Sequence, residues 1–139
     1  MIRRSDLQPL DAPRFWHALW WCAWIAVLVA SLIPMPRVDL DVAHGDKWLH
    51  VAAHATLAGY AWMLFRAGAS RVVALGALVA FGVTIEALQA WLPWRSADAW
   101  DIGANLLGTL TGCVLAGTVL GGALRRVDGY LFATRGAIE

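Results

Sequence analysis

Residues 86–105, E-A-L-Q-A-W-L-P-W-R-S-A-D-A-W-D-I-G-A-N, decide how this chain is read. An acid, Glu86, stands inside an apolar run. A Pro-Trp-Arg turn follows, and a second apolar run then carries Asp101 and Asn105 in its first turns. A carboxylate facing lipid costs a few kcal/mol, so the stretch predicts a polar partner or a water-filled cavity around Glu86.

Outward from that stretch the chain is mostly apolar. Of its 139 residues 60% are hydrophobic and 15% charged, against about 25% charged in a soluble domain. Four long apolar runs identify the missing solvent as lipid. The sequence therefore predicts an all-α, integral membrane four-helix bundle with spans at about 15–33, 48–65, 72–92 and 102–124. Twenty residues at 1.5 Å each are enough to cross the hydrocarbon layer. Residues 1–14 and 125–139 read as short tails, the first of them mobile. The first run is longer than a usual signal core and further spans follow it, so a retained helix is expected in place of a cleaved signal peptide. Cys22 and Cys113 lie in apolar runs and read as small buried hydrophobes. A net charge of +1 gives no electrostatic case for nucleic acid as a partner.

Basic residues orient the bundle. Arg3, Arg4, Arg14, Arg66, Arg71, Arg125, Arg126 and Arg135 fall in the tails and the middle turn, whereas only Arg37, Lys47 and Arg95 fall in the other two loops. Both termini are therefore expected in the cytoplasm, and the loops at 34–47 and 93–100 outside. Trp48, Trp91, Trp94 and Trp100 would mark the outer interface, and Trp16, Trp20 and Trp62 the inner one. The Gly117/Gly121 spacing and the Trp-rich first span leave a homo-oligomer open.

Threaded this way, polar groups from three helices converge at the outer third of the membrane. Asp46, His50 and His54 follow at i, i+4 spacing, each a turn below the last. Glu86, Gln89 and Pro93 share a face of the third span, with Glu86 about 9 Å below its outer end. Asp101, Asn105, Gly108 and Gly112 form a stripe on the fourth, and Ala104, Gly108, Gly112 and Ala116 allow close helix contact. Glu86 with a histidine is a candidate acid–base pair; its bland alternative is a structural partner for Lys47 or Arg95. The two histidines have metal-ligand spacing, with Glu86 and Asp101 as oxygen donors. They read more simply as hydrogen-bond partners of neighbouring helices, so no metal is assigned and the cofactor stays unknown. Asp98 and Ser96 suit a helix cap, and Asp101 suits the positive end of a helix.

In three pieces the chain resembles the VanZ-like family of small bacterial membrane proteins: D-K-W-L-H at 46–50, E-A-L-Q at 86–89, and P-W-R-S-A-D-A-W-D-I-G-A-N-L-L-G at 93–108. The resemblance covers roughly residues 30 to 120. It implies a multi-span protein of the cytoplasmic membrane, linked through its namesake to teicoplanin resistance, and it supplies no settled biochemical activity. Its polar pattern falls on Asp46, Lys47, His50, Glu86, Gln89, Arg95, Ser96, Asp98, Asp101 and Asn105. His54 departs from it, standing where an aromatic is expected.

Three functions follow as expectations. The first is an outward-facing pocket for the head group of an envelope lipid, a cell-wall precursor or a glycopeptide. There Lys47 and Arg95 would hold the anion, and Glu86, His50, Asp101 and Asn105 would orient it. Asp46, Gln89, Ser96 and Asp98 complete the binding set. The second is a membrane hydrolase or transferase acting on a lipid-linked substrate, with Glu86, His50 and Asp101 as its catalytic groups. The third is a structural partner whose polar cluster only locks helix packing.

Overall fold

The computed structural model describes residues 4–34, 45–95 and 98–133. Among them the chain is all helix, without a strand. A 3₁₀ turn at Arg4–Asp6 is followed by α1 (Pro13–Leu32), α2 (Gly45–Leu64), α3 (Ala69–Gln89), α4 (Ala99–Thr118) and α5 (Ala123–Phe132). By length and composition, α1 and α3 are apolar enough to cross a membrane. The pair α4 and α5, bent by 66°, makes a third crossing if it is one span. Of the four expected spans, α2 has the length but not the apolar composition, because it carries Asp46, Lys47, His50 and His54.

That polarity explains where α2 sits. It packs against α1, α3, α4 and α5, and His54, Leu57, Ala58, Gly59, Ala61 and Leu64 are buried along it. By contrast α1 exposes Phe15, Leu19, Trp21, Ile25 and Val29, and α4 exposes Leu106, Leu107, Leu110 and Val114. The helix that could least tolerate lipid is the one its neighbours cover.

The closest contact is between α2 and α4, which run side by side in the same direction. Val51 meets Gly108, Ala55 meets Gly112 and Trp62 meets Gly117, in rising order on both helices. A Cβ at Gly108 would fall on the Val51 carbonyl oxygen, and one at Gly112 on that of Ala55. Small residues permit this approach of two backbones. Helices α1 and α3 run the opposite way. The Trp20 indole donates to Leu57 O at 3.3 Å and the Tyr60 hydroxyl to Trp16 O at 2.8 Å. At the far end Gln89 Nε2 donates to Ser31 O at 2.9 Å.

Several sequence expectations are corrected. The fourth helix starts at Ala99, where Asp98 caps it by accepting the Trp100 N–H at 2.9 Å. It stops at Thr118, where the Leu120 N–H closes back on Leu115 O ahead of the Gly121–Gly122 pair. Helix α2 begins three residues earlier than expected and takes Asp46 and Lys47 out of the loop. Residues 4–12 are packed: Leu7 and Leu10 are buried, Gln8 N–H reaches Leu64 O at 2.8 Å and Arg66 N–H reaches Asp6 O at 2.9 Å. Residues 125–132, read as tail, belong to an amphipathic helix, α5, whose Asp128 is buried. Its carboxylate accepts the Asp11 and Ala12 N–H groups and, at 2.7 Å, the Trp16 indole N–H. Trp16 and Trp20 are core residues. Cys22 is exposed among the outward-facing side chains of α1, and Cys113 is half-buried, packed against the edge of the core.

The α2–α4 contact makes a direct test. Gly112→Ala forces a methyl into backbone and should lower stability by about 1–3 kcal/mol. Gly103→Ala, on the open face of the same helix, should raise it by no more than ~1 kcal/mol. Thermal unfolding in detergent checks both, and equal effects would contradict the packing.

Candidate functional site

Because α2 and α4 are parallel, their N-termini lie together, and the C-terminal ends of α1 and α3 come to the same end of the bundle. Lys47, in the first turn of α2, points across to α4. Its ammonium donates to Asp98 Oδ2, and to Asp101 Oδ1 at 3.0 Å; Asp46 Oδ2 lies 3.6 Å away. One turn further, His50 Nδ1 lies 3.0 Å from Asn105 Oδ1, while its Nε2 is 3.7 Å from Asp101 Oδ2. From α3, Glu86 reaches the same space, where its Oε2 takes the Asp98 N–H at 3.4 Å. Among the described residues Glu86 Oε1 and Asn105 Nδ2 are buried with no hydrogen-bond partner. A ring nitrogen of His50 and one oxygen each of Glu86 and Asp101 lie within 4.8 Å of one another.

His54 is deeper and fully buried, against the Phe81 ring at 6.4 Å between centroids. The backbone of His50 and Leu78 lies close to its ring nitrogens, which make no well-formed hydrogen bond among the described residues. Gly82 makes room for it: a Cβ there would meet the Asn105 amide at 2.9 Å and His54 Nε2 at 3.1 Å.

Beside the cluster lies a cavity of about 220 Å³. Its lining is mixed: Ser31, Asp46, His50, His54, Gln89 and Arg95 are polar, and Val27, Ala30, Leu49 and Ala53 apolar. The Arg95 Nη2 group donates to Ala30 O at 3.3 Å and Ile33 O at 3.2 Å, closing the C-terminus of α1. Its Nε is buried without a partner. Trp48, Trp91, Trp94 and Trp100 are exposed around this end.

The structure thus brings Asp46, Lys47, His50, Glu86, Asp98, Asp101 and Asn105 into one cluster, and Gln89 and Arg95 to the cavity beside it. Ser96 lies outside the described residues. Among the described residues Glu86 forms no pair with Lys47 or Arg95, since the first is engaged by aspartates and the second by carbonyls. Ser31 was missed by the sequence reading. Its signal was its place at the end of the charge-free first run, level with Gln89 once α1 and α3 run in parallel. Comparison with protein-family models, curated proteins and solved structures finds no match to the chain.

Exposure ranks the ion pairs. The Lys47 side chain is 23% exposed and that of Asp101 8%, whereas Asp46 is 64% exposed. Lys47→Met, which strips Asp98 and Asp101 of their cation, should cost about 1–2 kcal/mol, less than a fully buried pair would lose. Asp46→Asn should cost ~0.5 kcal/mol or less. Paired thermal melts read the difference, and the reverse order would contradict the cluster.

Proposed function

We propose that the chain is a VanZ-like protein of the bacterial cytoplasmic membrane whose polar end binds the head group of an envelope amphiphile. In this reading α1 to α4 all cross the bilayer, both termini are cytoplasmic and the polar end faces outward. The exposed apolar faces of α1, α3 and α4 support the crossing, as does the enclosure of α2 by its neighbours. The tryptophans around the polar end suit a membrane interface. The excess of basic residues in the tails and the middle turn supports the orientation.

One observation carries the binding reading: the cavity of mixed polar and apolar lining beside the buried cluster. A polar tip can meet Gln89, His50 and the Arg95 Nε while the attached chain follows Val27, Ala30 and Leu49. Sites for drug-sized ligands run to about 300–1,000 Å³, so the space favours a head group the size of a phosphate or an amino acid over a whole glycopeptide. Arg95 takes the anionic role shared with Lys47 in the sequence expectation, because the Lys47 ammonium is already surrounded by carboxylates. Protein purified from bacterial membranes in mild detergent should carry an anionic lipid enriched over the bulk extract, read by native mass spectrometry. Arg95→Gln should reduce that enrichment at least about tenfold, as expected when a buried charge-assisted contact is lost. A wild-type lipid content indistinguishable from the bulk membrane overturns the binding reading.

A second reading, a hydrolase or transferase acting on a lipid-linked substrate, is favoured by the unpartnered Glu86 Oε1 close to His50. Glu86→Gln keeps the shape and removes the base. Under this reading it abolishes complementation or the resistance phenotype at normal membrane abundance. Retained activity removes Glu86 as a general base and leaves head-group binding standing.

A further inference from the structure

We propose that His50, Glu86 and Asp101 bind a divalent transition-metal cation of the zinc class. The inference goes beyond head-group binding and does not rest on it.

The donors come from three different helices and are already gathered, within 4.8 Å of one another. Ligands at 2.0–2.2 Å from a four-coordinate zinc lie about 3.4 Å apart, so the set closes with movements of about an ångström. Each donor also has a lone pair available. Asn105 Oδ1 accepts from the His50 Nδ1–H at 3.0 Å, which leaves Nε2 unprotonated in a neutral ring. That Nε2 faces Asp101 Oδ2 at 3.7 Å, too far for a hydrogen bond. A histidine whose outer nitrogen is held by an acceptor while the inner one meets a carboxylate is the usual preparation of a metal ligand. Asp101 divides its oxygens in the same sense, Oδ1 to Lys47 and Oδ2 to the centre.

Glu86 supplies the independent observation. The residue is only 5% exposed, and its Oε1 is buried without a hydrogen-bond partner among the described residues. A buried carboxylate oxygen with nothing to accept from is costly, and a cation among these donors removes the cost.

Charge points the same way. Asp46, Asp98 and Asp101 surround the ammonium of Lys47, and Glu86 joins them through the Asp98 N–H. The positive N-termini of α2 and α4 are offset by the C-termini of α1 and α3 at the same end. Among the described residues these four carboxylates outnumber the two cations beside them, Lys47 and Arg95, which leaves the end negative and suited to a cation. Imidazole together with two carboxylates selects a zinc-like metal over magnesium or calcium, which prefer all-oxygen shells. Three protein ligands leave a coordination position open, as in catalytic zinc sites, and His50 is itself part of the cavity wall.

The test uses the full chain, free of any histidine tag, stripped with chelator and reconstituted in nanodiscs, with the metal alone as probe. One equivalent of Zn²⁺ should bind per chain by calorimetry. Co²⁺ should give visible bands of four- or five-coordinate intensity that added Zn²⁺ removes. Glu86→Gln and Asp101→Asn should each weaken Zn²⁺ binding at least about tenfold, since loss of an outer partner alone costs 10–100-fold. His17→Gln, near the start of α1 at the opposite end of the bundle, should leave it unchanged. Substoichiometric Zn²⁺, or variants that bind like the wild type, overturns the assignment. Should a variant misfold, the wild-type Co²⁺ spectrum decides alone, and intensity no greater than that of the aqueous ion overturns the site. Lipid is absent from the readout, so failure here and failure of head-group binding are separate results.

Discussion

The backbone-to-backbone contact of α2 with α4 governs the rest of the molecule. Gly108 and Gly112 remove the side chains that would hold the helices apart, and the register that results places Lys47 over Asp98 and Asp101 and His50 over Asn105. Parallel helices this close also set two positive dipole ends side by side, a repulsive arrangement. Asp46 in the first turn of α2, with Asp98 and Asp101 at the start of α4, answers that repulsion. Packing and electrostatics are therefore one design: the contact that creates the field is held by the groups that form the site.

The same logic explains how so polar a helix as α2 can belong to so apolar a chain. Its neighbours take the apolar exposure, and α2 takes the burial. Among the described residues, Glu86 Oε1 and Asn105 Nδ2 are buried without hydrogen-bond partners, a costly state in an apolar surrounding. Gly82 makes room for the Asn105 and His54 side chains, which a Cβ there would crowd. The unfilled hydrogen-bonding capacity, the cavity and the surplus carboxylates lie together at one end of the bundle.

Much of the site was legible in the residues. The i, i+4 steps of His50 and His54, the stranded Glu86 and the glycine stripe of α4 each follow from helical geometry, and all reach the same end of the bundle. Asp98 as a cap followed from local chemistry. What periodicity could not show was partnership. Nothing in the spacing says that α2 pairs with α4 in parallel, and that pairing decides that Lys47 belongs to the aspartates while Arg95 closes α1. The ends of the chain were misread for a related reason. Leu7, Leu10 and Asp128 look like tail residues in a local window, and their burial depends on contacts more than fifty residues away.

Asp128 also bears on the order of assembly. Its carboxylate holds the lead-in to α1 and the Trp16 indole, elements made more than a hundred residues earlier. During synthesis α1 emerges well before α5 with those donors unanswered, and they stay so until α5 has been made. The clasp can therefore close only late. A polypeptide halted after α4 would leave the end opposite the polar cluster open, with the Asp11, Ala12 and Trp16 donors exposed.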